Sequence, residues 1–221
     1  MDKLSFRPFH PDDLSACAKF AADAWPAVSV LVPGQDVVKL MHGYVELARL
    51  PSTWLEVACV SGRTVGLLFG RVNSNCTPAS ELRMLFSSLG LGCKAIRGQY
   101  GRLQKPLTLL RKGVATGALV KRHSPEADAV VELFVVDSEH SGRGIGRALM
   151  DRFVTAAKRK GARVIALHTD QSCNWRFYEK YGFKRRSAFT EIVSSYLEGQ
   201  NVEGYIYVIE TDDLTVGLER R

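Results

Sequence analysis

One segment in the second half of the chain joins an apolar run to a glycine-rich turn and then to an amphipathic helix. Residues 130–136 have the length and β-branched content of a buried strand. The turn after it carries Gly142, Gly144 and Gly146 within five residues, and apolar residues then recur with a helical period. The first N–H groups of such a helix lack helical acceptors and carry partial positive charge, so the turn favours an anion such as pyrophosphate.

The spacing of these glycines disfavours the two commonest nucleotide-binding loops. A Walker loop requires Lys followed by Ser or Thr after its last glycine, and the chain has neither there. The dinucleotide fingerprint requires a third glycine where this chain has Arg147. Arg143 and Arg147 instead add full positive charges to the turn. The pattern predicts a phosphate-bearing ligand, with a purely structural helix start as the alternative.

A second segment adds to this reading. After the helix, a further strand-like run at 163–168 is followed by the sequence FYEKYGF at 177–183. Together the two segments resemble the GNAT family of acyl-CoA-dependent N-acetyltransferases. The turn is similar to that family's Q/R-x-x-G-x-G/A motif, and FYEKYGF resembles its Tyr-Glu-Lys-x-Gly-Phe signature. The resemblance is strong over residues 130–186 and weaker elsewhere.

The resemblance implies a fold and an activity. The fold would be α/β, a mixed central sheet flanked by helices, in a single domain over residues 1–221. The activity would be direct transfer of an acetyl group from the cosubstrate acetyl-CoA to a primary amine in a ternary complex, without a metal ion. Two alternatives stay open: transfer of a longer acyl group, and a non-catalytic module that binds CoA or associates with nucleic acid.

The resemblance also implies which residues form the site. Tyr178 takes the place of the family's general acid, which protonates the departing CoA thiolate, and a phenol with a pKa of about 10 remains an acid at neutral pH. The backbone N–H of Val136 would donate to the thioester oxygen. The residues expected to bind the cosubstrate are Phe134, Val135, Val136, Ser141, Gly142, Arg143, Gly144, Ile145, Gly146, Arg147, Gln171 and Asn174.

Two positions depart from the family pattern. Ser141 stands where the family usually has Gln or Arg, so one side-chain contact to the pyrophosphate is missing, and Arg143 is the candidate to replace it. The family's Asn, about seven residues before the Tyr, corresponds to Gln171, whereas Asn174 lies four residues before it. Either amide could reach the pantetheine arm or an internal backbone group, and the sequence leaves both open.

The general base has more than one candidate. Glu132 interrupts an apolar strand, and a carboxylate there is costly unless it faces a cleft, water or an Arg partner. We therefore consider it the first candidate base, with an ion pair as the alternative. His168, at the end of the next strand, is the second candidate. Asp170 is expected to cap the following helix, as is Ser172, or to bind a cationic amine.

A basic insertion is expected between the third and fourth strands, at approximately residues 79–125. No acidic residue occurs between 82 and 125, yet the segment holds nine Lys and Arg in a chain of net charge +7. Leucines at helical spacing predict two short helices, near 82–89 and 103–110. The insertion is either a solvated face or a site for an anionic partner: CoA phosphates, an acidic substrate, nucleic acid or anionic lipid.

The remaining features point to an ordinary globular protein. The five Cys residues are an odd number without paired short spacing, so neither a disulfide framework nor a zinc site is expected. No apolar run has the length of a membrane span or a signal peptide, which favours the cytoplasm. Further strands are expected at 4–9, 54–60, 64–71 and 204–210, and helices at 11–25 and 36–50. Oligomeric state stays open, with a homodimer among the alternatives.

Overall fold

A seven-stranded sheet forms the centre of the molecule. The structure, a computed structural model, describes residues 3–32, 36–73, 90–91, 93–94, 97–101 and 105–213. The strands are β1 (Leu4–Pro8), β2 (Trp54–Val60), β3 (Arg63–Val72), β4 (Ala129–Val136), β5 (Val164–Asp170), β6 (Lys184–Thr190) and β7 (Glu203–Glu210). The helices are α1 (Leu14–Ala24), α2 (Asp36–Arg49), α3 (Pro106–His123), α4 (Ile145–Arg159), α5 (Trp175–Tyr181) and α6 (Ile192–Glu198).

The strand order is β1-β2-β3-β4-β5-β7-β6. Strands β4 and β5 pair in parallel, and all other neighbours in this sheet pair antiparallel. The parallel pair needs a crossover connection, and α4 provides it. The mixed sheet flanked by helices confirms the predicted α/β fold class.

Two apolar cores cover the two faces of the sheet. On one face, α1 and α2 bury Cys17, Met41 and Val45 against strand residues that include Leu133 and Val135. On the other face, α4 presents an apolar stripe with helical spacing, made of Ile145, Leu149, Phe153 and Ala157. This stripe approaches the sheet closely, since a Cβ atom at Gly70 would overlap the Phe153 ring.

Helix α3 occupies the second half of the predicted insertion. It begins at Pro106 and continues to His123, well beyond the short helix expected at 103–110. Its inner face contacts α6 and β6: Thr116 Oγ1 accepts a hydrogen bond from Val193 N at 3.3 Å, and Ser187 Oγ donates to His123 O at 3.3 Å. The other predicted helix, at 82–89, lies outside the described residues, so the two-helix insertion stays a prediction.

The described part of the chain contains no helix long and apolar enough to cross a membrane. Within the same part, no group of three or more His, Cys, Asp or Glu side chains is placed to hold a metal ion. Cys17, Cys59, Cys93 and Cys173 are all free thiols.

Candidate active site

Strands β4 and β5 separate part-way along their length and leave a gap in the sheet. They pair only from Ala129 opposite Ile165 to Val131 opposite Leu167. Beyond this point β5 continues to pair with β7 as far as Asp170, while residues 132–136 of β4 have no partner on the β5 side. The backbone of β4 along the gap is therefore available to a ligand.

A β-bulge at Glu132 marks the point where the strands separate. Opposite it, Phe69 pairs with Leu133 and the next residue, Gly70, pairs with Val131, so that Glu132 is the extra residue in β4. Because of the bulge, the side chains of Val131 and Leu133 point to opposite faces of the sheet. Val131 packs in the core under α4, whereas Leu133 packs in the core under α1 and α2.

The end of β4 directs one amide group into the gap. Asp137 N donates to Val65 O at 2.9 Å, so the N–H of Asp137 points toward β3. Because backbone groups alternate along a strand, the N–H and C=O of Val136 and Phe134 point the opposite way, into the gap. Val135 directs its backbone toward β3, with its carbonyl oxygen next to Gly66.

The glycine turn presents a row of unpaired donors. Gly142 and Gly144 have φ angles of +74° and +79°, which glycine adopts without steric cost. The six backbone N–H groups of residues 142–147 have no acceptor among the described residues, and the first turn of α4 contains no acidic side chain. Such a run of convergent amides at a helix N-terminus binds anions.

The side chains around this turn differ in exposure and in their contacts. Ser141, Arg143 and Arg147 are exposed, and Arg147 forms a loose ion pair with Asp151, at 3.9 Å, and lies over the Tyr181 ring, 5.5 Å from its centroid. Gly146 faces Phe134, whose Cζ would lie 3.1 Å from a Cβ atom. Buried Ile145 anchors the start of α4 in the core.

Tyr178 lies on α5 with its ring packed beside the gap. The ring centroid is 6.3 Å from that of Phe134 and 6.1 Å from that of Tyr207. The hydroxyl has no hydrogen-bond partner in the described part of the chain. Burial raises the pKa of this phenol above its usual value, so Tyr178 keeps its proton at neutral and mildly alkaline pH.

Glu132 forms an ion pair rather than standing alone. Arg71 Nε donates to its Oε1 at 3.0 Å. Burial nevertheless raises the pKa of Glu132 above its usual value, although the charge of Arg71 and this hydrogen bond act in the opposite direction. The ion pair that the sequence left as an alternative is thus present, and it coexists with a carboxylate of increased basicity.

His168 is held in a mostly apolar environment at the end of β5. Its Nε2 atom is buried without a hydrogen-bond partner, and its ring stacks on Phe189 with the centroids 5.7 Å apart. Burial lowers the pKa of the imidazole, while the charges of Glu191 and Asp170 act to raise it. The imidazole is therefore neutral at pH 7.

The two candidate amides differ in their partners. Gln171 is tied to β7, because its Oε1 accepts from Glu203 N at 3.4 Å and its own N–H donates to Glu203 O at 2.8 Å. The side chain of Asn174 is exposed at the N-cap of α5 and makes no capping hydrogen bond. Of the two, Asn174 has the side chain free for a ligand.

The expected cap of α5 by Asp170 or Ser172 is wrong. The N-cap residue of α5 is Asn174. Asp170 Oδ1 accepts from Ser172 N at 2.9 Å and from Ser172 Oγ at 2.6 Å, and its Oδ2 accepts from Ser194 Oγ at 2.7 Å. The carboxylate therefore joins the end of β5 to the start of α6, because Ser194 lies close to it in the fold.

Aromatic residues from distant parts of the chain complete the α1–α2 side of the site. The Trp25 indole N–H donates to Cys173 Sγ at 3.2 Å, and the ring of Trp25 meets that of Tyr44 edge to face at 5.7 Å. Tyr44 is 41% exposed, yet burial raises its pKa to about 12. The Tyr44 ring therefore packs against Trp25 and keeps part of its surface accessible on this side of the sheet.

Helix α6 supplies another wall of the site, and no local sequence pattern predicted this helix. Glu191 is buried and its side chain accepts a hydrogen bond from Ser194 N, which caps α6. A glutamate three residues before a serine is a weak capping pattern, and the helix is only seven residues long.

Comparison with known proteins identifies the domain. Residues 104–183 match the family model described as the acetyltransferase (GNAT) family. At residues 104–183 the chain contains a GNAT acetyltransferase domain. The matched segment includes both the glycine turn and Tyr178, so the predicted resemblance is confirmed. No curated protein matches the sequence.

Solved structures share the GNAT fold over almost the whole chain. An N-acetyltransferase from Staphylococcus aureus has a TM-score of 0.55 and 16% identity, with 95% of this chain and 99% of that chain covered. An N-acetyltransferase from Escherichia coli that acts on an alanine of a ribosomal protein has a TM-score of 0.55 and 12% identity, with coverage of 95% and 94%. The protein yncA of Salmonella typhimurium, solved with its cofactor acetyl-CoA, has a TM-score of 0.53 and 13% identity, with 95% of each chain covered. At such identities the likeness shows the fold alone.

Proposed function

We propose that this protein transfers an acetyl group from acetyl-CoA to a primary amine by direct attack in a ternary complex. The observation that carries the proposal is the gap between β4 and β5, which has the Val136 N–H on its rim. The unpaired amides of residues 142–147 follow β4, and the free hydroxyl of Tyr178 lies beside the gap. The yncA structure, which contains acetyl-CoA, supports the choice of cosubstrate.

The residues of the turn fit the pyrophosphate of CoA. Their six N–H groups have no acceptor among the described residues, and Arg143 and Arg147 offer exposed positive charges beside them. Ser141 contributes less than the Gln or Arg of the family pattern, and Arg143 takes over its role. The pantetheine arm would run along the free backbone groups of Phe134 and Val136, within reach of the Asn174 amide.

Acetyl-CoA, when bound, supplies an electrophilic thioester carbonyl. The Val136 N–H points where it can donate to the carbonyl oxygen as negative charge develops there. As the C–N bond forms and the C–S bond breaks, the Tyr178 hydroxyl gives its proton to the sulfur. Glu132, whose pKa is raised, accepts the proton that the amine loses, directly or through a water molecule.

Two opposite faces of the sheet then serve the two substrates. Phe134, Val136 and Tyr178 pack with the core under α4, where the glycine turn also lies. Trp25 packs with the core under α1 and α2. We infer that acetyl-CoA enters from the α4 side and that the amine approaches through the gap from the α1–α2 side. A single domain over residues 1–221, a cytoplasmic location, a homodimer and an anionic partner of the basic insertion stay predictions from the sequence.

A thiol-release assay tests the proposal. The full-length protein is incubated with acetyl-CoA and each member of an amine panel, and free CoA thiol is titrated while the acetylated amine is identified by mass spectrometry. We expect amine-dependent thiol release with one acetylated product per thiol. A module that binds CoA in a calorimeter but releases no thiol with any amine would contradict the proposal. Faster turnover with butyryl-CoA or palmitoyl-CoA than with acetyl-CoA would favour the longer acyl group.

A further inference from the structure

The four buried carboxylates of the described residues fall into two classes. Asp13 and Glu56 each have an Arg partner, with Arg7 Nη1 at 2.6 Å from the first and Arg152 Nε at 2.8 Å from the second. Asp170 and Glu191 are 8% and 3% exposed, and no cationic side chain of the described residues lies within 4.0 Å of either carboxylate. Hydrogen bonds from Ser172 and Ser194 offset part of the cost of burying these carboxylates, but no cation of the described residues balances their two charges.

Both unpaired carboxylates belong to the wall of the proposed acceptor side. Asp170 ends β5 at the gap and reaches Ser194 Oγ on α6, while Glu191 caps that same helix. The charges of both raise the pKa of Tyr44, as does that of Glu132. Three carboxylates thus act on one accessible phenol, and among the described residues Glu132 is the one of the three with an Arg partner.

Within the part of the chain that the structure describes, no cation near these groups compensates the two charges. His168 is influenced by both carboxylates, but burial lowers the pKa of its imidazole, which leaves it neutral at pH 7. Lys112 of α3 lies over the ring of Tyr196, 4.8 Å from its centroid, and forms no ion pair with either carboxylate. The described residues therefore give a net negative charge to the side of the gap from which the amine would approach.

Aromatic rings also line the proposed acceptor side of the gap. Trp25 and Tyr44 pack edge to face, and Tyr44 keeps 41% of its surface accessible. An accessible aromatic ring within a negatively charged cleft attracts a cation through its π-face and disfavours an anion. This aromatic pair is independent of the carboxylates and points to the same ligand chemistry.

We infer that the acceptor is a polycationic amine, a small molecule with at least one positive charge besides the amino group that is acetylated. This inference rests on the proposed acetyl transfer and specifies its substrate class. The attacked nitrogen loses its proton to Glu132, while the second ammonium group remains charged and pairs with Asp170 and Glu191. The rings of Trp25 and Tyr44 cover the hydrocarbon chain between the two nitrogens.

Three acceptors of equal chain length test the inference: putrescine, butylamine and γ-aminobutyrate. They share one primary amine and differ in the group at the other end, which is cationic, neutral or anionic. We expect a KM for putrescine at least about 10-fold below that for butylamine, with γ-aminobutyrate the poorest acceptor. Raising the ionic strength should increase the KM for putrescine more than that for butylamine, because screening weakens the additional charge interaction.

Matched variants locate the effect. Glu191→Gln keeps an oxygen acceptor for Ser194 N, and Asp170→Asn keeps one for Ser172 while its NH2 group can donate to Ser194 Oγ. Each variant removes one charge, so each should raise the KM for putrescine about 10-fold and leave that for butylamine within about twofold. Glu198→Gln removes the same charge from the exposed far end of α6 and should change neither value. Because a buried variant can fail to fold, circular dichroism accompanies each measurement, and the salt dependence of the unmodified protein provides the test that needs no variant.

The outcomes separate the inference from the proposed function. Thiol release with butylamine or γ-aminobutyrate as efficient as with putrescine, and a KM insensitive to salt, would overturn the polycationic acceptor while leaving acetyl transfer intact. Absence of thiol release with every amine would instead overturn acetyl transfer itself.

Discussion

Replacing Tyr178 with phenylalanine removes one oxygen atom beside the gap and leaves the aromatic packing of the residue in place. The ring contacts Phe134, Phe183 and Tyr207, with centroids 6.3, 6.0 and 6.1 Å away. The hydroxyl has no hydrogen-bond partner among the described residues, so its removal leaves no buried group unsatisfied. We expect the free energy of unfolding to change by less than about 0.5 kcal/mol.

The catalytic effect of the same change should be large. Protonation of a leaving group by a positioned acid contributes about 100-fold to 10,000-fold to the rate, so kcat of Tyr178→Phe should fall by about 100-fold or more. The affinity for CoA should be unchanged, because the proposed contacts to its pyrophosphate and pantetheine come from other residues. Steady-state thiol release gives kcat, calorimetry with CoA gives the affinity, and urea unfolding gives the stability.

Tyr181 on the same helix provides the matched control. Its hydroxyl donates to Asp151 Oδ1 at 2.7 Å, so Tyr181→Phe should lose about 1–2 kcal/mol of stability and keep its kcat. The two variants should therefore show opposite results in the two assays. If Tyr178→Phe retains the wild-type kcat, or loses stability and CoA affinity together as a packing mutant would, Tyr178 is not the general acid.

Three further changes test other parts of the structure. Gly144→Ala forces a side chain onto a φ of +79°, so it should cost about 1–2 kcal/mol of stability and weaken CoA binding. Gly161→Ala, at φ +82° beyond the other end of α4, should cost the same stability without affecting CoA binding. Equal CoA affinities of the two variants in calorimetry would contradict the anion-binding turn. Glu132→Gln keeps an acceptor for its Arg partner and should lower kcat/KM by about 100-fold near neutral pH, and an unchanged pH–rate profile would assign the base elsewhere. Burial acts to raise the pKa of Asp13, but its hydrogen bonds outweigh burial and lower the pKa to about 2. The Asp13 carboxylate therefore stabilises the fold by about 2 kcal/mol above a pH of about 4, and this contribution is lost as the pH falls toward 2. Urea unfolding of Asp13→Asn should show the loss of stability at pH 7 and not at pH 2.

Local patterns predict the elements whose contacts are local. Helix α2 was expected at 36–50 and is observed at Asp36–Arg49, because its apolar stripe and the following proline are visible in the sequence. Strand β5 was expected to end at 168 and continues to Asp170. Its last residues, Thr169 and Asp170, are polar, and they remain in the sheet because they pair with Tyr205 and Gly204 of β7. That pairing joins segments far apart in the chain, so no local pattern encodes it.

Helix α6 shows the same limit more strongly. A helix of seven residues is marginal in isolation, since nucleation is costly and few hydrogen bonds repay it. Its first turn is held by the Glu191 cap and by the bond from Val193 N to Thr116 Oγ1 on α3. Only the assembled fold supplies the contact with Thr116. Helix α6 in turn places Glu191 beside Asp170.

The bulge at Glu132 lies where a charged residue interrupts the apolar strand β4 and where the gap between β4 and β5 begins. Strict alternation would place Val131, Leu133 and Val135 on one face of β4, yet Val131 lies in one core while Leu133 and Val135 lie in the other. The extra residue in the ladder accounts for this exchange, and pairing with β5 stops at the neighbouring Val131. A carboxylate is tolerated there because the bulge places it beside Arg71. A charged residue that interrupts an apolar strand can therefore indicate a bulge, and here the bulge lies where the gap opens.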